Sequence, residues 1–159
     1  GKNPPIPGDG KKKVKMTKQE IEVQNGVLAF SEWVKDHEVK FVSSERVVYS
    51  KEHNYIGTMD AEAIIDGKKC VIDFKTSSGI WDEYFLQVAA YQRAAEEEGS
   101  KYDGNPWIVR FNKKDKLDKE TGKVIEKAGT FEAESFEDID RCFQGFLAAK
   151  SLYKCLKEK

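Results

Sequence analysis

The dipeptide Asp66-Gly67 constrains the fold of this sequence more than any other feature. It separates two runs of apolar and β-branched residues. Asp-Gly in this setting is the strongest short-range signal for a β-hairpin with a two-residue turn. We therefore expect one strand over 55–65 and a second, antiparallel strand over 68–75.

The segments around this hairpin predict further strands and helices. Thr17-Lys18-Gln19-Glu20 has the pattern of a capping box, and the helix that it opens should end near His37. Asp82 is a candidate N-cap for a helix over 83–98, which Gly99 would end. The full predicted series is a helix from Thr17, strands over 39–50, 55–65 and 68–75, the helix over 83–98, a strand over 107–111, a charged protruding hairpin over 113–127, a strand over 130–133, and a final helix capped at Ser135.

This series, α-β-β-β-α-β-β-α, predicts an α/β (α+β) fold with a mixed central sheet flanked by helices. With 159 residues, the chain suits a single domain. Residues 1–16 hold three of the four prolines and a lysine run, so we expect a flexible arm there and one domain over 17–159.

Charge and cysteine content narrow the classes of function. The net charge is −1, so any surface for a polyanion must be local. No apolar run approaches the roughly 20 residues that span a bilayer, and we expect a cytoplasmic protein without a membrane partner. The three cysteines lack a CxxC pair, which predicts reduced, mostly buried thiols and no iron–sulfur cluster.

The register of the predicted hairpin determines which residues lie opposite each other. Counting outward from Asp66-Gly67 sets Asp60 opposite Asp73, with their Cβ atoms about 4.5–5.5 Å apart. Lys75 lies two residues beyond Asp73 and should share its face. A four-residue turn at 51–54 would also set Glu45 opposite Asp60, giving three carboxylates in a row. We expect the other face to be the buried one, formed by Met59, Ala61, Ala63, Ile65, Cys70, Ile72 and Phe74.

Such a group of carboxylates predicts a cation site. Like charges placed opposite each other destabilise a sheet unless a cation shares them. Carboxylate oxygens suit Mg²⁺ or Mn²⁺, and one or two such ions activate water and stabilise the leaving oxygen in phosphodiester hydrolysis. Lys75 is suited either to hold the attacking water or to offset charge on the phosphorus. Asp60, Asp73 and Lys75 are thus the candidate centre.

Three motifs in this order resemble a known family. Gly57-Thr58-Met59-Asp60, then Asp73-Phe74-Lys75-Thr76, then Gln87-x-x-x-Tyr91 are similar to the RecB-type and phage-exonuclease branch of the PD-(D/E)xK nucleases. The resemblance covers about residues 39–111, and the predicted element order matches the restriction-endonuclease-like core of that superfamily. It implies a metal-dependent DNA exonuclease of phage or bacterial recombination and repair.

The resemblance also implies roles for individual residues. Asp60, Asp73 and the main-chain carbonyl of Phe74 would be metal ligands, and Lys75 the catalytic lysine. Glu45 would be the upstream acidic residue, as a ligand or as a group that orders the site. Gln87 and Tyr91 would act from the following helix, where positions i and i+4 share one face.

The expected partner is DNA, with a recombination or annealing protein as a further one. Candidate phosphate contacts are Ser77, Ser78, Lys51, Lys113 and Lys114. Two other functions stay open at this point. One is a structure- or sequence-specific endonuclease of resolvase or restriction type, and the other is a catalytically silent DNA-binding module on the same fold.

Overall fold

A computed structural model describes residues 15–158, apart from the side chains of residues 19, 22 and 23. Most of the predicted N-terminal arm lies outside these residues. In the described part, the chain is an α+β structure with three helices and a mixed central sheet. The helices are α1 (Lys18–Asp36), α2 (Asp82–Glu97) and α3 (Ile139–Lys157), and the strands are β1 (Val39–Ser50), β2 (Tyr55–Ile65), β3 (Lys68–Lys75), β4 (Trp107–Phe111), β5 (Lys116–Leu117), β6 (Val124–Glu126) and β7 (Phe131–Ser135).

The two turns that the sequence singled out set the bounds and register of the first three strands. Asp66 and Gly67 both have positive φ, 50° and 84°, as a two-residue hairpin turn of this kind requires. Ile65 pairs with Lys68, and the ladder runs from there to Ala61 and Ile72. Across the other turn, Ser50 pairs with Tyr55. Both predicted registers are therefore confirmed over these pairs.

The central sheet has the order β1-β2-β3-β4-β7. The chain returns through α2 to the end of the sheet where β3 begins, so β3 and β4 are parallel. The other neighbouring strands are antiparallel. β5 and β6 form a separate two-stranded hairpin. This confirms the predicted protruding hairpin between β4 and the return strand β7.

Both faces of the sheet are buried, which corrects the expectation of a single core face. One cluster packs α1 residues such as Trp33 against Ala61, Ala63 and Ile72. A second cluster lies under α2. Its members are Val48, Met59, Val71, Val88, Ala94, Ala95 and Ile108. Met59, expected beside Ala61, belongs to this second cluster, so the simple alternation of β2 breaks between those two residues.

The ends of the helices confirm one predicted cap and correct two. Thr17 and Glu20 form the capping box of α1, with the Thr17 amide 2.7 Å from the Glu20 carboxylate. α2 begins at Asp82 itself, after Trp81, which gives no side-chain cap. α3 is capped by Asp138, whose carboxylate accepts from the Arg141 amide. Ser135, the predicted cap, is still in β7.

The cysteines are free thiols in graded environments: Cys70 is buried, Cys142 half-buried and Cys155 exposed. The expectation of mostly buried thiols is therefore wrong for Cys155. Across residues 15–158, no helix has the length and apolar character needed to cross a bilayer.

Candidate active site

β3 carries two of the candidate residues on the side of the sheet that α2 covers. Asp73 is two residues beyond Val71, a member of the cluster under α2, and side chains two apart in a strand share a face. Lys75 follows after another two residues. Its ammonium nitrogen lies 2.9 Å from Oδ2 of Asp73. The predicted pairing of Asp73 and Lys75 on one face is therefore present.

Asp60 comes to this pair from the neighbouring strand. It lies one step beyond the last ladder pair of β2 and β3, Ala61 with Ile72. There its Oδ2 accepts a hydrogen bond of 2.8 Å from the main-chain amide of Phe74. The side chain of Asp60 thus docks on the residue between Asp73 and Lys75. The predicted pair of Asp60 with Asp73 is not part of the ladder, which ends at Ala61 and Ile72. Asp60 instead meets the Asp-x-Lys segment at the Phe74 amide.

The environment of Asp73 disfavours its charge. Only 3% of the residue is exposed. Burial raises the pKa of Asp73 to about 6, because Lys75 lowers it less than burial and the neighbouring Asp60 raise it. The buried Oδ2 accepts no well-aligned hydrogen bond from the described residues, although the Lys75 ammonium is close to it. Lys75 is therefore the close partner of this oxygen, and its charge does not offset the cost of burial.

A second buried carboxylate in the same sheet shows the contrast. Glu62 accepts hydrogen bonds from Ser43 (2.7 Å), Arg46 (2.9 Å) and Tyr102 (2.6 Å). Burial alone would raise the pKa of Glu62, but the hydrogen bonds from Tyr102, Arg46 and Ser43 outweigh it and lower the pKa to about 2. Glu62 is thus ion-paired and hydrogen-bonded by several side chains, whereas Asp73 has the Lys75 ammonium as its close partner.

Helix α2 brings Gln87 to Lys75 and Tyr91 close to Asp73 and Asp60. Oε1 of Gln87 accepts a hydrogen bond of 2.8 Å from the Lys75 ammonium. Burial raises the pKa of Tyr91, and the charges of Asp73 and Asp60 add to the rise. Gly57 permits this placement, since a Cβ atom there would lie 2.4 Å from Cε1 of Tyr91. The glycine of the first motif thus makes room for the tyrosine of the third.

Tyr84 belongs to the same group, although no sequence motif singled it out. The Lys75 ammonium lies 4.4 Å from the centre of the Tyr84 ring, at the distance of a cation–π contact. Tyr84 is three residues before Gln87, hence one turn earlier on the same helical face. That spacing was the signal that could have identified it.

Glu45 does not join the group. Ser44 pairs with Ala61 and Arg46 with Met59, but the ladder skips Glu45, which is exposed and has a φ of 51°. Among the residues that the structure describes, no group of three or more histidine, cysteine, aspartate or glutamate side chains could hold a metal ion together. The expected row of three carboxylates is therefore wrong, because the left-handed backbone at Glu45 interrupts the strand.

Four of the five predicted phosphate contacts come together in one place. Ser77, Ser78, Lys113 and Lys114 all line one cleft of about 270 Å³. Lys51, the fifth, is not part of this cleft. It lies in the turn between β1 and β2, where its main-chain amide donates to Glu97. The two serines are distant in sequence from the two lysines, and the fold brings the two pairs together.

The two histidines lie outside the group. His37 packs against Trp33 and Trp107 and forms an ion-pair contact of 3.1 Å with Asp66. His53 is half-buried against the ring of Phe143. Both have a structural setting at the ends of β1.

Comparison with models of known protein families finds no match, and no curated protein is found to be similar to this chain. The function therefore has to be inferred from the residues of the site.

Proposed function

We propose that this protein is a Mg²⁺- or Mn²⁺-dependent deoxyribonuclease that hydrolyses DNA phosphodiester bonds, and that it belongs to the RecB-type and phage-exonuclease branch of the PD-(D/E)xK superfamily. The observation that carries the proposal is the group formed by Asp60, Asp73 and Lys75 at the sheet, with the buried Asp73 oxygen short of hydrogen bonds. Lys75 supplies one positive charge beside two carboxylates, and the pKa of Asp73 stays raised, so the group is suited to a further cation.

The residues present fit a hard divalent cation. Asp60, Asp73 and the main-chain carbonyl of Phe74 would hold it, and all three offer oxygen, the donor that Mg²⁺ and Mn²⁺ prefer. A bound ion would polarise a phosphoryl oxygen and lower the pKa of a water molecule. The raised pKa of Asp73, about 6, fits a buried carboxylate whose negative charge is not offset by Lys75. With Glu45 outside the ladder, Asp60 and Asp73 are the two side-chain carboxylates proposed to hold an ion.

Lys75 is the group on this chain that is best placed to act on a phosphate. Its ammonium is held by Asp73 at 2.9 Å, by Gln87 at 2.8 Å and by the ring of Tyr84. Three contacts fix the direction of a flexible side chain, so its charge is preorganised. There it would orient the attacking water or offset the charge that develops on the phosphoryl oxygens.

Gln87 and Tyr91 act as positioning residues in this proposal. Gln87 contributes the amide oxygen that holds Lys75. Tyr91 adds a hydroxyl, a hydrogen-bond donor whose pKa is raised by burial and by the charges of Asp73 and Asp60. Such a donor suits a phosphate oxygen or a ligand carboxylate. The cleft with Ser77, Ser78, Lys113 and Lys114 supports DNA as the substrate.

Exonuclease action is the lead proposal, with a recombination or annealing protein as a candidate partner. The experiment compares linear duplex DNA with covalently closed circular DNA of the same sequence, each with Mg²⁺, with Mn²⁺ and with EDTA. We expect metal-dependent loss of the linear form and an intact circle. Cleavage of the circle would instead identify the endonuclease alternative.

The silent DNA-binding alternative is separated by metal binding. Calorimetric titration of the wild-type protein with Mn²⁺ should give a saturable signal that Asp73→Asn abolishes. A wild-type protein that neither binds Mn²⁺ nor cuts either DNA would contradict the proposed function.

A further inference from the structure

The cleft beside the candidate active site has the composition of a phosphate-binding site. Its volume is about 270 Å³. Three hydroxyl side chains, three lysines, a buried arginine, an asparagine and an aspartate line it. The residues that matter here are Ser77, Ser78, Arg110, Lys113, Lys114 and Lys116.

This cleft begins where the strand of the active site ends. Ser77 and Ser78 follow Lys75 by two and three residues. Arg110 pairs with Lys75 across the parallel strands β3 and β4. Lys113 and Lys114 continue the chain from β4 toward the β5–β6 hairpin. The cleft therefore lies at the end of β3 that carries Lys75.

Arg110 holds the walls of the cleft in place. Its side chain is 4% exposed, and its guanidinium donates to Glu132 at 2.9 Å and to Glu126 at 2.5 Å. A third bond of 3.2 Å goes to the main-chain oxygen of Ser77. One buried side chain thus ties the loop after β3 to β6 and β7. Two carboxylates balance its charge, so Arg110 stabilises the cleft and contributes little net charge toward a ligand.

The free positive charge of the cleft comes from its lysines. Within the described part of the chain, Lys113, Lys114 and Lys116 have no carboxylate within ion-pair distance. Asp115, the acidic residue of the lining, is engaged by the Ala128 amide at 2.8 Å. Three ammonium groups against one carboxylate give a local excess of positive charge. The Ser77 hydroxyl already donates to the Gly79 carbonyl at 2.8 Å, so it adds no free donor. On a chain with a net charge of −1, this local excess is not a consequence of overall charge.

We propose that this cleft binds a phosphate group of the DNA backbone next to the phosphate that is cut. The proposal rests on the proposed nuclease function, which it deepens by assigning a second contact with the same strand. The phosphate could be internal to the strand or could be its terminal group, and the chemistry of recognition is the same. Lysine contacts of this kind position the strand and carry no sequence information.

The test is DNA binding without catalysis. Fluorescence anisotropy in EDTA measures the affinity of a fluorescein-labelled duplex for the wild-type protein and for the triple variant Lys113→Gln, Lys114→Gln, Lys116→Gln. The matched control changes three lysines of the same hairpin region that lie outside the cleft, Lys119→Gln, Lys123→Gln, Lys127→Gln. Both variants alter net charge equally. Circular dichroism and thermal melting check that each is folded.

We expect the cleft variant to bind roughly tenfold or more weakly, for any DNA sequence. The slope of log affinity against log salt should be smaller in magnitude by about 1 for each phosphate that the variant no longer neutralises. The control should change affinity by less than about threefold. Replacing the three cleft lysines by arginine keeps their charge and should retain binding. Equal weakening in the cleft and control variants, or unchanged binding in both, would overturn the proposal.

Two further arms separate the source of the phosphate and the underlying function. Duplexes with a 5′-phosphate or a 5′-hydroxyl should bind alike if the cleft takes an internal phosphate. A preference for the 5′-phosphate that the cleft variant loses identifies a terminal one, and a preference that this variant keeps counts against the cleft. A wild-type protein that shows the cleft effect but cuts no DNA with Mg²⁺ or Mn²⁺ would overturn the nuclease function and leave the cleft assignment standing.

Discussion

The carboxylate of Asp60 accepts a hydrogen bond of 2.8 Å from the main-chain amide of Phe74. This contact joins the end of the β2–β3 ladder to the segment that carries Asp73 and Lys75. In an extended strand, the N–H and C=O groups of a residue point to the same side. The Phe74 carbonyl therefore lies on the side of β3 that faces Asp60, as the proposed set of metal ligands requires.

Asp73→Asn should stabilise the metal-free protein at neutral and higher pH. The pKa of Asp73 rises from an unfolded value of 3.8 to about 6 in the fold, so ionised Asp73 opposes folding. The penalty begins as the pH rises past about 4 and is complete above about 6, where it amounts to about 2–3 kcal/mol. Urea denaturation in EDTA at pH 8 should show this gain, and at pH 3.5 the gain should have largely disappeared.

The exposed Glu45 provides the control for that measurement. Glu45→Gln makes the same chemical change outside the site and should alter the free energy of unfolding by less than about 0.5 kcal/mol at pH 8. Destabilisation by Asp73→Asn at pH 8 in EDTA would contradict the description of Asp73 as a buried carboxylate whose charge opposes folding.

Tyr84→Leu should lower the turnover of DNA, because it removes the ring that lies 4.4 Å from the Lys75 ammonium. A cation–π contact contributes about 0.5–2 kcal/mol, which corresponds to a decrease of about 2- to 30-fold in kcat. Tyr84→Phe keeps the ring and should retain most of the activity. Steady-state kinetics on linear duplex DNA provide the comparison, and an equal decrease in both variants would mean that the hydroxyl, not the ring, is what matters.

Gly57→Ala should displace Tyr91. The added Cβ atom would lie 2.4 Å from Cε1 and 2.8 Å from Cδ1 of the ring, closer than packed atoms tolerate. We expect a loss of about 1–3 kcal/mol in the free energy of unfolding together with a loss of activity. In a Tyr91→Ala background, the same change should cost much less. A cycle with additive effects would show that the two residues do not share this space.

Glu62→Ala should destabilise the fold by about 1–3 kcal/mol at neutral pH, since it leaves Ser43 and Tyr102 without their acceptor and Arg46 with Glu98 as its remaining carboxylate. The lowered pKa of Glu62, about 2 in the fold against 4.5 unfolded, means that its contribution is present above about pH 4.5 and is lost as the pH falls toward 2. The stability difference between wild type and variant should therefore shrink over that interval. Glu32→Ala, a change at an exposed carboxylate, serves as the control.

The bounds of β1, β2 and β3 were predictable because local chemistry determines them. Asp66 and Gly67 accept the positive φ that the turn demands, and the polar turn at 51–54 ends the preceding strand. The register then brings Asp60 to the Asp73–Lys75 segment without any knowledge of tertiary structure. The i, i+4 spacing of Gln87 and Tyr91 likewise predicted a shared helical face.

The errors arose where tertiary packing overrides periodicity. Glu45 adopts a left-handed backbone and leaves the ladder, and the alternation of β2 breaks between Met59 and Ala61. A strict period of two cannot anticipate such an irregularity. The role of Arg110 was also invisible, because its three partners lie 16 to 33 residues away and meet only in the folded chain.

Digestion of end-labelled linear duplex DNA with Mg²⁺ and with Mn²⁺ tests the central claim most directly. The comparison is wild type with Asp73→Asn, Lys75→Ala and the control Glu45→Gln. We predict metal-dependent digestion by wild type, a decrease of at least about 100-fold in the first two variants, and activity within about twofold of wild type for Glu45→Gln. Undiminished digestion by Asp73→Asn and Lys75→Ala would contradict the assignment of this site.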